Sequence, residues 1–257
     1  MKIRFNNETI DLNNLELIGA GEDGKLYLYK DKIIKLAESQ DMTLEKMEDF
    51  KRVKEKCFSS EKEFNNSQIV LPNEIIKRPN ERIKRLRVTP IFGYSQQYHL
   101  ERKNEIFNIP SNHLINEMET IRSEIHRILT DNKIAIIDTN PNNLLLSDDN
   151  KIYFIDRDRD ITDSCMEMEK RVIYDKSHYK HNEKRYSILF KNLLLLKLSK
   201  CIGGKQGLNE QTFMDYYNKI MDLKLDDAYK IIESYENLSV FTEDRKKELL
   251  KKRKRSK

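Results

Sequence analysis

Residues 136–146 read Ile136-Ile137-Asp138-Thr139-Asn140-Pro141-Asn142-Asn143-Leu144-Leu145-Leu146. Two apolar stretches flank a polar turn that contains a proline. Proline fixes one backbone dihedral and gives up a donor, so such a turn is rigid. The pattern predicts Asp138 and Asn143 in one loop between short strands, both able to point into a cleft. Ile152-Tyr153-Phe154-Ile155-Asp156 follows and reads as a strand that ends in a carboxylate. Two carboxylates and an amide brought together offer the oxygen ligands that magnesium prefers, with waters and phosphates completing its shell.

Upstream, Ile33-Ile34-Lys35-Leu36 places an ammonium inside an apolar strand. Burying an unpaired charge is expensive, so Lys35 needs an anion. Phosphates or a helix carboxylate would serve. Before it lies Gly19-Ala20-Gly21-Glu22-Asp23-Gly24. Glycine lets the backbone approach a phosphate without a Cβ clash. The dinucleotide-binding version of this pattern needs a helix directly after it. Here Lys25-Leu26-Tyr27-Leu28-Tyr29 reads as strand, which predicts a flap between two strands.

The remaining chain divides into a β-rich first third and a helical remainder. Ile3 and Phe5 alternate with polar residues, and strands are expected at 15–18, 26–29 and 33–36. Residues 43 to 64 read as one helix, with Leu44, Met47, Phe50, Val53, Cys57, Phe58 and Phe64 on a single face. Further strands are expected at 69–71, 74–76 and 86–88. A helix from Ser111 or Asn112 to about Thr130 would bury Leu114, Met118, Ile121, Ile125 and Leu129. A β-rich interruption at 134–155 is followed by helices near 183–201, 210–222, 225–235 and 242–253. This order gives an α+β architecture.

Taken in sequence, these features resemble the protein kinase-like superfamily. Its catalytic loop reads Asp, four residues, Asn, as from Asp138 to Asn143. A metal-binding Asp follows on the next hairpin, where Asp156 stands. Lys35 matches the third-strand lysine, and Leu26 takes the place usually filled by valine after the third glycine. The resemblance implies a two-lobed fold, with an antiparallel β-rich N-lobe (1–92), a mainly helical C-lobe (93–244) and a basic tail (245–257). It implies ATP and Mg2+ as ligands, Asp138 as catalytic base, and Asn143 and Asp156 as metal ligands. Lys35 would hold the α- and β-phosphates beneath Gly19, Ala20, Gly21 and Gly24. Ile18, Leu26, Ile33 and Leu145 would sandwich the adenine, and Thr89, Pro90, Ile91 and Phe92 would meet its edge. Helical phase, with Phe50 at 0°, puts Glu61 at about 20°, which nominates Glu61 as the partner of Lys35.

The acceptor stays open. Ile137 stands where protein kinases commonly carry arginine, Asn140 matches neither the lysine nor the histidine of the two main branches, and Arg157-Asp158 replaces Phe-Gly. A serine/threonine protein kinase leads. A small-molecule phosphotransferase of aminoglycoside or choline type is the alternative, and a nucleotide-binding pseudokinase scaffold is the third.

Composition narrows the class. Hydrophobic residues are 38% and charged residues 35% of 257, a balance that suits a globular domain with a strongly solvated surface. No apolar run nears the roughly 20 residues that cross a bilayer. The N-terminus has no signal-peptide stretch, and Cys57, Cys165 and Cys201 are scattered without a CxxC pair, so a cytoplasmic location is expected. His178 and His181 lack a third ligand for zinc. The net charge of +5 is a property of the end of the chain. From Arg245 onward nine basic residues face one acid, Glu248, so the tail carries +8 and the rest −3. Such a tail either contacts an acidic partner or is a solvated terminus.

Overall fold

In a computed structural model of the chain, residues 2–5, 8–21, 24–30, 32–37, 44–72, 93–95, 109–147, 150–162, 177–201 and 217–233 are described. The fold combines helices with small antiparallel sheets. β1 (Lys2–Phe5) and β2 (Glu8–Asp11) form a hairpin with Ile3 opposite Ile10. These two residues, Leu12 and Ile34 make a small core of their own. β2 escaped the sequence reading. Ile10 is the one apolar residue of Glu8-Thr9-Ile10-Asp11, so no alternation is visible, and cross-strand pairing with Ile3 makes the strand.

A four-stranded antiparallel sheet follows in the order β3 (Glu16–Gly21), β4 (Gly24–Tyr29), β5 (Lys32–Ala37), β6 (Gly93–Ser95). The strands expected in this region are present, and they run further than anticipated into the glycine segment. Gly19, Ala20 and Gly21 pair with Leu26, Lys25 and Gly24, after a bulge between Leu17 and Gly19. Because β6 pairs with β5, this sheet takes in Gly93–Ser95.

The single helix expected over 43–64 is two helices, α1 (Leu44–Cys57) and α2 (Glu61–Asn66). Ser60 starts α2 by accepting from the Glu63 amide at 3.2 Å, while the Glu63 carboxylate reaches back to the Ser59 amide at 2.8 Å and hydroxyl at 2.6 Å. This is capping-box chemistry, and it resets the helical phase. Met47, Phe50, Val53, Phe58 and Phe64 are nonetheless all buried, as expected.

α3 (Ser111–Glu124) buries the predicted stripe of Leu114, Met118, Ile121, Ile125 and Leu129, continuing through a wider turn at Ile125–Leu129. Neither Ser111 nor Asn112 caps it. Pro110 holds the capping position, and Asn112 Oδ1 accepts instead from the His113 amide at 2.8 Å. β7 (Leu144–Leu146) and β8 (Ile152–Phe154) form the expected hairpin. The strand expected at 69–71 reduces to one parallel bridge from Ile69 to Phe154. α4 (His178–Cys201), a helical segment at 217–222 and α5 (Leu225–Glu233) complete the described chain. One continuous core joins α1, α2, α3, β7, β8, α4 and α5. The strands expected at 74–76 and 86–88, the Thr89–Phe92 connector, the helix near 242–253 and the basic tail lie outside the described residues. Among the described residues no helix is long and apolar enough to cross a membrane.

Candidate functional site

The β7–β8 hairpin sets the site. Leu144 pairs with Phe154, so the residue entering β7 lies beside the residue leaving β8. The Ile155 amide accordingly donates to the Asn143 carbonyl at 2.9 Å. Pairing thus brings Asn143 and Asp156 together at the open end of the hairpin. Asp156 adopts the left-handed region, with φ 66° and ψ 50°. A non-glycine residue there is uncommon and carries a local backbone cost.

Asp138 is held on both oxygens. Its Oδ1 accepts from the Asn140 amide at 2.8 Å, an Asx turn, and its Oδ2 accepts from Asn143 Nδ2 at 2.9 Å. The Asn143 amide in turn donates to the Asn140 carbonyl at 3.0 Å. Asn143 Nδ2 is therefore committed to Asp138, which leaves Oδ1 as the side chain's oxygen donor. Lys35 projects from β5 and forms an ion pair with Asp156 Oδ1. Its side chain is only 6% exposed, so the anion that the sequence demanded for it is present. Lys35, Asp138, Asn143 and Asp156 form one bonded series.

A buried frame holds this series. Arg157 is fully buried, stacked 3.6 Å above the Phe154 ring. It donates through Nε to the Ile155 carbonyl at 3.0 Å and through Nη2 to the Asp138 carbonyl at 3.1 Å, and it pairs with buried Asp160 at 3.3 Å. Asp160 accepts from the Ile137 amide at 3.1 Å. Burial pushes its carboxyl up, against the pull of the Arg157 guanidinium. From α4, Asn182 accepts from the Ile136 amide and donates to the Ile134 carbonyl, both at 2.9 Å, and His181 Nε2 donates to the Ile136 carbonyl at 2.8 Å. These side chains supply hydrogen-bond partners for backbone groups of Ile134, Ile136, Ile137 and Asp138.

Glu61 does not join the site. Once the chain breaks at Phe58–Ser60, the phase counted from Phe50 no longer applies. Glu61 lies on an exposed face and pairs with Lys54 at 2.8 Å. Lys35 meets Asp156 instead. Ile18 and Leu26 are half-buried against the core cluster that contains Leu145, which is itself buried. Gly19, Ala20, Gly21 and Gly24 lie in the β3–β4 hairpin; a Cβ on Gly19 would come within 3.3 Å of Leu26 Cδ1. The Ile33 side chain and the Thr89–Phe92 segment are outside what is described.

The framing residues Arg157, Asp160, Asn182 and His181 were missed as a set. Their work is on backbone groups, for which no spacing rule exists. One signal was available: Arg157 and Asp160 stand at i and i+3 directly after the strand carboxylate, a charged pair where an apolar core residue would be ordinary.

The donor set fits a hard divalent cation. Asp156 offers a carboxylate and Asn143 an amide oxygen, on adjoining backbone, with room in the ligand count for water and phosphate. No protein-family model matches the chain, and no curated protein matches it.

Proposed function

We propose that the chain is an ATP- and magnesium-dependent kinase of two-lobed, protein-kinase-like architecture, which transfers a γ-phosphoryl group to a serine or threonine hydroxyl of a protein in the cytoplasm. The observation that supports this reading is the bonded series Lys35–Asp156, Ile155–Asn143 and Asn143–Asp138. It gathers a cation for phosphate oxygens, two oxygen ligands for a metal and a carboxylate oriented on both oxygens.

Asn143 and Asp156 would hold magnesium, which supplies neutralisation of the phosphate charge. Lys35 Nζ then binds the α- and β-phosphates beneath Gly19, Gly21 and Gly24. Ile18, Leu26 and Leu145, with Ile33 and Thr89–Phe92, enclose the adenine. Asp138 orients the acceptor hydroxyl and takes its proton as the new oxygen–phosphorus bond forms and the bond to the leaving ADP oxygen breaks. Catalysis of this kind is positioning and electrostatics, and the rigid frame of Arg157, Asp160, Asn182 and His181 suits it.

The test is γ-phosphate transfer from labelled ATP in lysate, with protein and metabolite products resolved, comparing wild type with Asp138→Ala. Label on protein that Asp138→Ala abolishes, with nucleotide binding kept, is the expected result. Label on a soluble metabolite alone would replace the protein acceptor with a small molecule. Binding without turnover would make the chain a scaffold.

A further inference from the structure

The α4 face that braces the Asp138 loop carries one cation that the frame does not use. His181, Asn182 and Asn192 on this face contact the Ile136 and Thr139 backbone, with Asn192 Nδ2 donating to the Thr139 carbonyl at 3.4 Å. Arg185 lies one turn beyond His181 and Asn182, between them and Asn192. Its guanidinium is half-buried, and its Nε is shut off from water without a hydrogen-bond partner among the described residues. The charges that reach it among the described residues are Asp138, Asp160 and Arg157. Asp160 is already paired with Arg157 at 3.3 Å, and both Asp138 oxygens already accept bonds from the loop. The contrast with Arg157 is direct. Arg157 places its donors on Asp160 and two carbonyls, whereas Arg185 forms no ion pair with a described residue.

A desolvated donor without an acceptor is costly, and a water or an anionic ligand completes such a group. Burial lowers the Arg185 pKa from its ordinary value, which marks the same incomplete environment. The position tells which ligand. Lys35 and Asp156 lie on the side of Asp138 reached through Asn143, where the phosphoryl donor is placed. Arg185 stands on the α4 side, within electrostatic reach of the carboxylate that would orient the acceptor hydroxyl.

We infer that Arg185 is an acceptor-recognition residue, which binds an anionic side chain, carboxylate or phosphate, close to the hydroxyl that is phosphorylated. The inference rests on the kinase reading and adds a substrate class to it: serine or threonine in an acidic sequence. Guanidinium suits this role because its planar fork pairs both groups bidentately.

The test uses the full chain and a panel of serine peptides flanked by Asp, phosphoserine, Ala or Lys, with labelled ATP at low ionic strength. Wild type should favour acidic over Lys-flanked peptides by on the order of tenfold in kcat/KM, chiefly through KM. Arg185→Gln should remove that ratio, Arg185→Lys should keep part of it, and Arg185→Glu should reverse it towards Lys-flanked peptides. Comparing Asp with phosphoserine distinguishes the two anions. If Arg185→Glu misfolds by thermal melting, Arg185→Gln alone decides. A wild type without acidic preference, or variants that keep it, overturns the Arg185 assignment and leaves the kinase reading standing, since transfer is then observed. A wild type that labels neither peptide nor itself overturns both.

Discussion

Arg157 Nη2 donates to the main-chain oxygen of Asp138 at 3.1 Å. The bond ties the segment that leaves β8 to the loop that precedes β7, so the carboxylates of Asp138 and Asp156 are fixed relative to each other by a fully buried guanidinium. Removing it would leave Asp160 charged, buried and short of its cation. Breaking one side of such a pair costs about 3–5 kcal/mol. Arg157→Met should lower stability by about that amount in urea unfolding, and a double variant with Asp160→Asn should recover part of the loss. A single variant as stable as wild type would remove Arg157 from the frame.

Asp156 and Lys35 neutralise each other at the site, so their variants should differ in kind. On the proposed kinase reading, Asp156→Asn removes a metal ligand's charge and leaves Lys35 able to hold phosphate. It should weaken nucleotide binding only when magnesium is present. Lys35→Met removes the phosphate cation and should weaken binding with or without magnesium. Calorimetric titration of the nucleotide at several magnesium concentrations separates the two. Unchanged metal dependence in Asp156→Asn would count against the assignment.

Side-chain periodicity made much of this legible in the sequence. The stripe on α3 and the β7–β8 hairpin appear where alternation and spacing put them, and Lys35, Asp138, Asn143 and Asp156 meet, because each sits on an element with a strong local pattern. The failures share a cause. The break before α2 is written as Ser60-Glu61-Lys62-Glu63, an S-x-x-E capping signal inside an apolar stripe, and the stripe dominated the reading. The cap resets the helical phase, so a count carried through it from Phe50 puts Glu61 on the wrong face. Asn182, His181 and Nη2 of Arg157 bind backbone atoms of residues remote in sequence, and backbone atoms carry no sequence signal.

Asn182 gives a direct test of that hidden support. It satisfies the Ile136 amide and the Ile134 carbonyl in a fully buried position, and it also donates to Thr130 Oγ1 at 2.9 Å. Asn182→Ala would strand two buried backbone groups, each at about 1–3 kcal/mol. A loss of about 2–6 kcal/mol is expected in urea unfolding, together with reduced phosphoryl transfer, on the proposed kinase reading, through displacement of Asp138. Hydrogen exchange at Ile136 should speed up before exchange in α3 does. Uniform acceleration across both would place Asn182 in general packing instead.

Acid stability separates two partly buried carboxylates whose shifts have opposite sign. Glu183 on α4 accepts from Arg122 Nε at 2.9 Å and Nη2 at 2.6 Å, and lies 2.6 Å from His126 Nε2. The Arg122 guanidinium holds its carboxyl below the usual range. A depressed folded value means that the unfolded chain binds the proton first. The stability from Glu183 is therefore full above its unfolded value, about pH 4.3, and is lost as pH falls through the folded value. Glu124 is shifted the other way. Burial raises its carboxyl, against bonds from Ser67 Oγ and the Gln68 and Ile69 amides. The folded chain binds that proton first, so acidification from neutral pH down to about 4.3 adds stability through Glu124. Urea midpoints measured from pH 3 to 7 should show Glu183→Gln flattening the acid limb and Glu124→Gln removing the gain above it. The Glu183 effect will be modest, because that pair is partly solvated and screened. Identical acid limbs in wild type and Glu183→Gln would mean that the Arg122 pair contributes nothing to the fold.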